Sequence, residues 1–187
     1  MDRDRRKSQV RYPVIVPIQT TNAMSGDRLQ KIANGLTVRL NRDVLIEKSL
    51  SEIREVLQSD RAVLYHFYRK WHGQVTCETL SAIELSILGS TGADECFSDE
   101  YAALYEAGRV RAIADIELEP IHECHREFLR GMKVRANLVV PILTKKGLWG
   151  LLVAHQCSGP RTWVRSDIEF MQKQAQNMAM SPTIQNS

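Results

Sequence analysis

Hydrophobic positions along the chain follow two periods in turn. From residue 27 the spacing is helical: Leu29, Ile32, Ala33, Leu36 and Leu40 recur at three- and four-residue steps. Asp27 precedes them and is the expected cap, because a short carboxylate accepts hydrogen bonds from the free amides of a first helical turn. Asp43 offers the same start to a second helix, with Leu45, Ile46, Leu50, Ile53, Val56 and Leu57 as its apolar stripe. The period then drops to two. Residues 61–68, RAVLYHFY, alternate and are rich in β-branched and aromatic side chains, so they predict a strand. Residues 73–79, GQVTCET, predict its neighbour after a turn at 70–73. The stretch 80–93 carries no clear period, and 89–92 reads as loop. A short helix is expected at 98–107, stopped by Gly108, then a strand at 110–113. A further helix is expected from Pro120 to Gly131, since the fixed φ of proline suits a first turn. Two apolar strands, 135–143 and 148–155, are joined at Lys145, Lys146 and Gly147, a hairpin signal. Ser166 or Asp167 starts a closing helix, which Pro182 must end.

These elements predict an α+β domain, an antiparallel sheet with helices packed on its faces. The chain has 187 residues, room for one domain with a proper core and not for two large ones. The expected division is an irregular N-terminal arm at 1–26, one domain at 27–181 and a tail at 182–187.

Composition narrows the function classes. The formal net charge of +3 is small, and much of the positive charge sits in Arg3, Arg5, Arg6, Lys7 and Arg11. No face carries a dense basic stripe interleaved with aromatics, so nucleic acid is not expected as a partner. No apolar run reaches bilayer length and the N-terminus has no signal-peptide core, so no membrane is expected and a cytoplasmic location is. Cys77, Cys96, Cys124 and Cys157 are too widely spaced for a disulfide framework, and four free thiols are expected. By residue type alone they remain open as inert core residues, metal ligands or nucleophiles; Cys77 and Cys157 read as structural.

Five stretches change this picture: DECF at 94–97, GRV at 108–110 leading to DI at 115–116, ECHREFL at 123–129, VRANLVVPI at 134–142 and LWGLLVAHQC at 148–157. In this order and spacing they resemble the cyanobacteriochrome GAF family of the phytochrome superfamily, over residues 29–180. The resemblance implies a GAF domain, and a photoreceptor for sensory transduction rather than an enzyme. The implied chromophore is a covalent bilin, phycocyanobilin or phycoviolobilin. Cys124 matches the cysteine that forms a thioether to ring A, and His125 the histidine that packs on the pyrrole plane. Asp94 and Cys96 match the Asp-X-Cys-Phe motif of the dual-cysteine branch. There the second thiol adds reversibly to the central methine carbon and cuts the conjugated system, which implies a blue-absorbing state exchanging with a green-type one. Asp94 is expected beside the pyrrole N–H groups, Arg109 on a propionate with Arg135 as a weaker candidate, His155 near ring D, and Tyr101 against a ring.

The closing helix departs from the family pattern, being interrupted at Pro182. No kinase or P-loop signature is present. The output activity and downstream partner are therefore unassigned, and a homodimer is left open. Three other readings stay open. One is a thiol enzyme like the GAF-fold reductases of free methionine sulfoxide, using Cys96 and Cys124. Another is a metal site at His122, Cys124 and His125, disfavoured because adjacent helix residues point about 100° apart. The last is a chromophore-free interaction module.

Overall fold

A computed structural model describes residues 23–41, 43–69, 71–92 and 99–187. The first helix, α1 (Ala23–Leu40), begins ahead of Asp27, which lies inside it and does not cap it. A capping residue marks a permitted start, and good helix formers such as Ala23 and Met24 extend the helix past it. Asp43 does cap α2 (Val44–Leu57): its carboxylate accepts from the amides of Leu45 at 3.1 Å and Ile46 at 3.4 Å. Ile46, Leu50, Ile53 and Leu57 of that helix are buried, whereas Leu45 and Val56 are exposed. The buried four repeat at steps of four and three; Leu45 and Val56 each sit one residue off that stripe, about 100° around the helix.

Two strands follow, β1 (Arg61–Arg69) and β2 (His72–Leu80), then a short 3₁₀ turn at Ile83–Leu85. Next come α3 (Asp99–Glu106), β3 (Arg111–Ile113) and α4 (Glu123–Gly131). Gly108 adopts φ +86° just beyond α3, the left-handed conformation that ends a helix without a Cβ clash. α4 starts later than Pro120, because its cap is His122, whose Nδ1 accepts from the Cys124 amide at 3.2 Å. The hairpin β4 (Ala136–Thr144) and β5 (Gly147–Gln156) turns at Lys145 and Lys146 as expected. α5 (Arg165–Ala179) closes the domain, and Pro182 does more than end it. Proline's fixed φ opens a further turn, α6 (Pro182–Gln185), capped by Ser181, and Ile184 of that turn is buried.

All strand pairs are antiparallel, in the order β2-β1-β5-β4-β3. The α+β expectation holds. Alternation along the three central strands divides the molecule. Ala62, Leu64, Leu138, Val140, Leu152 and Ala154 point to one face and form the main core with α1, α2 and α5. Val63, Val139 and Val153 point to the other face, where Tyr105 of α3 packs on them. Ile53 is fully buried in the main core. Ile53→Ala should lower stability by about 3 kcal/mol through lost burial and a residual cavity. A urea titration should show a lower midpoint at an unchanged slope, and an unmoved midpoint would place Ile53 outside the core.

Candidate functional site

The second face of the sheet, α3, α4 and the chain after β2 enclose a cavity of about 360 Å³. That is within the size range of small-molecule sites. Its walls are mostly apolar: Val63, Val75, Val139, Leu151 and Val153 from the strands, and Phe128 from α4. Aromatic side chains add Tyr65, Phe67, Trp71, Tyr101 and Tyr105. The polar groups on the lining are few and specific. Arg109 and Arg111 stand on it together, and Arg111 also pairs with Glu119 at 2.5 Å. His125 comes from α4 and His122 is the residue that caps it, and Asn137 and His155 come from the floor of the sheet.

Two imidazoles of the lining have their pKa lowered. Burial lowers the His125 pKa, and the charge of Arg111 acts in the same direction. His125 also stacks on Phe128, with ring centroids 6.3 Å apart. Burial lowers the His155 pKa well below its ordinary value, and the charge of Arg61 lowers it further. Arg61 Nε lies 3.0 Å from His155 Nδ1.

Cys124 is the second residue of α4, half-buried between two histidines that both line the cavity. The positive end of the helix dipole there favours a thiolate. Cys124 is disulfide-bonded, while Cys77 and Cys157 are free. This corrects the expectation of four free thiols: spacing along a chain does not register thiols that folding brings together.

The structure brings Tyr101, Arg109, His125 and His155 onto one cavity, with Cys124 beside it. Arg135 is engaged elsewhere, its Nη2 3.0 Å from both carboxylate oxygens of Asp115, and it is not part of the lining. Asp94 and Cys96 lie outside the described residues. Sequence reasoning missed Arg61, Asn137 and Arg111. A signal existed for Asn137, since period-two alternation puts it on the same face as Val139. Among the described residues no group of three or more metal-ligating side chains comes together, and no helix is long and apolar enough to cross a membrane.

Comparison with known proteins agrees with this architecture. The model for the GAF domain matches residues 41–181. An uncharacterized protein of Picosynechococcus is 46% identical over 151 residues, 81% of this chain and 93% of that one. The blue-light absorbing form of the Thermosynechococcus elongatus PixJ GAF-domain superposes with a TM-score of 0.70 at 34% identity, over 77% of this chain and 85% of that one. The phycoerythrobilin-bound GAF domain from a cyanobacterial phytochrome superposes with a TM-score of 0.66 at 26% identity, over 83% of this chain and 95% of that one. Two longer relatives from Synechocystis, a putative methyl-accepting chemotaxis protein and a circadian input-output histidine kinase, match over only 16% and 24% of their own lengths.

Proposed function

The chain belongs to the GAF domain family, and from that premise we propose that it is a photoreceptor domain carrying a linear tetrapyrrole on Cys124. One observation carries the reading: Cys124 stands in the first turn of α4, between His122 and His125 in the chain, and both histidines line an apolar cavity that bears two arginines. A bilin is a long conjugated body with two carboxylates, and the lining has a counterpart for each part. Aliphatic and aromatic walls take the rings. Arg109 and Arg111 take the propionates, a task suited to planar, always-charged donors. His125 packs on the pyrrole plane and Tyr101 on a ring face. Arg135, already paired with Asp115, contributes less.

Attachment is an addition. The thiolate sulfur bonds to a side-chain carbon of ring A, a proton goes to the tetrapyrrole, and nothing leaves. The disulfide at Cys124 must first take two electrons from a thiol reductant, such as the glutathione pool of the expressing cell, because the thiolate is the attacking species. The bilin is phycocyanobilin or its isomer phycoviolobilin. Cys96 supplies a second, reversible thioether to the central methine, with Asp94 beside the pyrrole nitrogens. Gly92, ahead of that motif, and Tyr101, in the helix after it, both line the cavity. Addition makes the methine carbon tetrahedral and shortens the π system, giving the blue-absorbing state; isomerisation next to ring D reverses it and gives a green-type state. The PixJ relative, described as a blue-light absorbing form, favours this colour class. The domain works in the cytoplasm and passes its state to a protein partner that distinguishes the two forms.

The test is co-expression with enzymes that make phycocyanobilin, purification under reductant, and absorption spectra after violet and after green light. Two reversible states are expected, one in the violet-to-blue. Cys96→Ala should lose that state and keep the attached pigment; an unchanged photocycle in this variant removes the second linkage. A colourless native protein overturns the photoreceptor reading. The disulfide at Cys124 favours one alternative, a thiol enzyme, which a methionine sulfoxide reductase assay on the colourless protein then addresses.

A further inference from the structure

Arg111 opens β3 on the cavity lining, and it already has an anion of the chain's own. Its Nη2 donates to Glu119 Oε1 at 2.5 Å, and Glu119 lines the same cavity. Both side chains are only partly exposed, 28% and 26%. The other cavity arginine, Arg109, makes no ion pair among the described residues. Glu119 thus holds the place at Arg111 that a ligand carboxylate would take. It falls between the stretches at 115–116 and 123–129, outside the residues that carry the family resemblance.

The loop that carries Glu119 is tied down along its backbone. The Asp115 carbonyl accepts from the amides of Leu118 at 3.2 Å and Glu119 at 3.0 Å, and the Asp115 carboxylate accepts from the Glu117 amide at 3.0 Å. Arg126 of α4 donates to the carbonyls of Ile116, Glu119 and Ile121, the last two at 3.2 Å and 3.4 Å. With the backbone held, the carboxylate leaves Arg111 only by rotating its own side chain. An unpaired guanidinium on a mostly apolar wall is unfavourable, so Arg111 keeps a carboxylate partner. Replacing Glu119 by a ligand carboxylate conserves the number of ion pairs and returns Glu119 to water. Such an exchange is nearly balanced in itself, and the rest of the ligand decides it. A small acid buries no apolar surface and gains nothing; an acid with a large apolar body gains the burial of that body.

We propose that Glu119 is a resident counter-ion that guards the anion position at Arg111, excluding small anions and giving way only to a carboxylate carried on a large apolar body. The inference rests on the photoreceptor reading, in which that body is the bilin and the carboxylate a propionate, and it adds a specificity-determining residue to that reading. Ligand entry is then an exchange of carboxylates on one guanidinium, and the lost Glu119 pair is subtracted from the affinity. Removing the guard has two effects: the ligand diacid binds more tightly, and simple anions gain access to Arg111.

Two measurements test it. The first needs no pigment: acetate is titrated into the chromophore-free chain, and the Arg111 side-chain signals are followed by ¹⁵N NMR. Acetate should shift them in Glu119→Gln, which keeps the shape and loses the charge, at about fivefold lower concentration than in the native chain. Glu119→Ala should behave in the same way. An equal response in native and substituted proteins overturns the guard. The second uses phycocyanobilin and its dimethyl ester, titrated by absorption in the Cys124→Ala background. Glu119→Gln should tighten binding of the diacid about fivefold and leave the ester unchanged. With Arg111→Gln also in place, the Glu119 substitution should no longer matter. Diacid binding that weakens in Glu119→Gln overturns the exchange. So does an equal gain for diacid and ester, since a wider mouth then suffices. A native chain that binds neither compound overturns the photoreceptor reading, while the acetate titration still decides the guard.

Discussion

Cys124→Ala is expected to abolish covalent pigment attachment entirely. Protein from the co-expression strain, denatured and run on a zinc-containing gel, should lose its bilin fluorescence, while the native chain keeps it. The expectation rests on where the four thiols stand. Cys124 occupies the first turn of α4, where the helix dipole lowers the free energy of a thiolate. It is flanked by His122 and His125 on the cavity wall. Cys77 does not substitute for it. Cys77 belongs to the main core on the far side of the sheet, and burial pushes its pKa up to about 12. Burial also raises the Cys157 pKa, although the charge of Arg61 opposes it. Cys96 forms its bond reversibly in the proposed cycle and does not survive denaturation as the sole link. Fluorescence retained in the denatured Cys124→Ala protein would therefore move the attachment point elsewhere. Colour lost only on denaturation would show that the cavity still holds the pigment without the bond.

The fold was legible wherever a residue's role is decided by its near neighbours. Strand alternation in RAVLYHFY, the cap at Asp43 and the hairpin at Lys145 and Lys146 all depend on local chemistry, and all appear in the structure. Failures came where two acceptable local choices compete. Asp27 and Pro120 are both good helix starters, yet the helices begin at Ala23 and Glu123, because other residues extend one and cap the other. Leu45 and Val56 are apolar but fall off the buried stripe, which only the packing partner defines. The candidate site divides in the same way. The residues on the cavity that motifs suggested were found through family resemblance, not through composition or period. Arg61 and Asn137 were missed because their roles depend on partners far along the chain. Arg61 reaches His155 across 94 positions, and a buried arginine at a strand start has no local signature.

Acid should destabilise the folded domain steeply, because His66 and His155 are both buried in neutral form. His66 lies on the core side of β1, stacked on Trp149 with ring centroids 4.3 Å apart. Its Nδ1 lies 3.1 Å from the Trp149 carbonyl oxygen, which only accepts, so that nitrogen carries the proton. Burial lowers the pKa to about 4, although the hydrogen bond to Trp149 works in the opposite direction. In the unfolded chain a histidine titrates near 6.5. Between those two values the unfolded chain binds more protons than the folded one, so stability falls as pH falls. The loss is absent above the unfolded pKa and complete below the folded pKa. For His66 alone it amounts to about 3 kcal/mol, a large share of the 5–15 kcal/mol typical of a domain. His155 adds to it in the same direction, its pKa being pushed still further down by burial and by Arg61. Two carboxylates extend the loss at the acid end. Burial alone would raise the pKa of Asp43, but hydrogen bonds from Ser181, Thr183 and the first amides of α2 bring it below its ordinary value. Burial likewise opposes the lowering at Asp60, where the amides of Ser158 and Cys157 prevail. Stability from these two is present above the unfolded carboxylate pKa and lost as pH drops through the folded values. Urea midpoints measured from pH 7.5 down to about 4 should therefore fall continuously, most steeply between 6.5 and 4. His66→Phe keeps the stack on Trp149 and removes the titration, at the expense of one hydrogen bond. It should be less stable than the native chain at pH 7.5 and markedly less sensitive to acid. Equal slopes in the two proteins would mean that His66 is protonated in the folded state, and the stacked, carbonyl-bonded geometry would then be wrong.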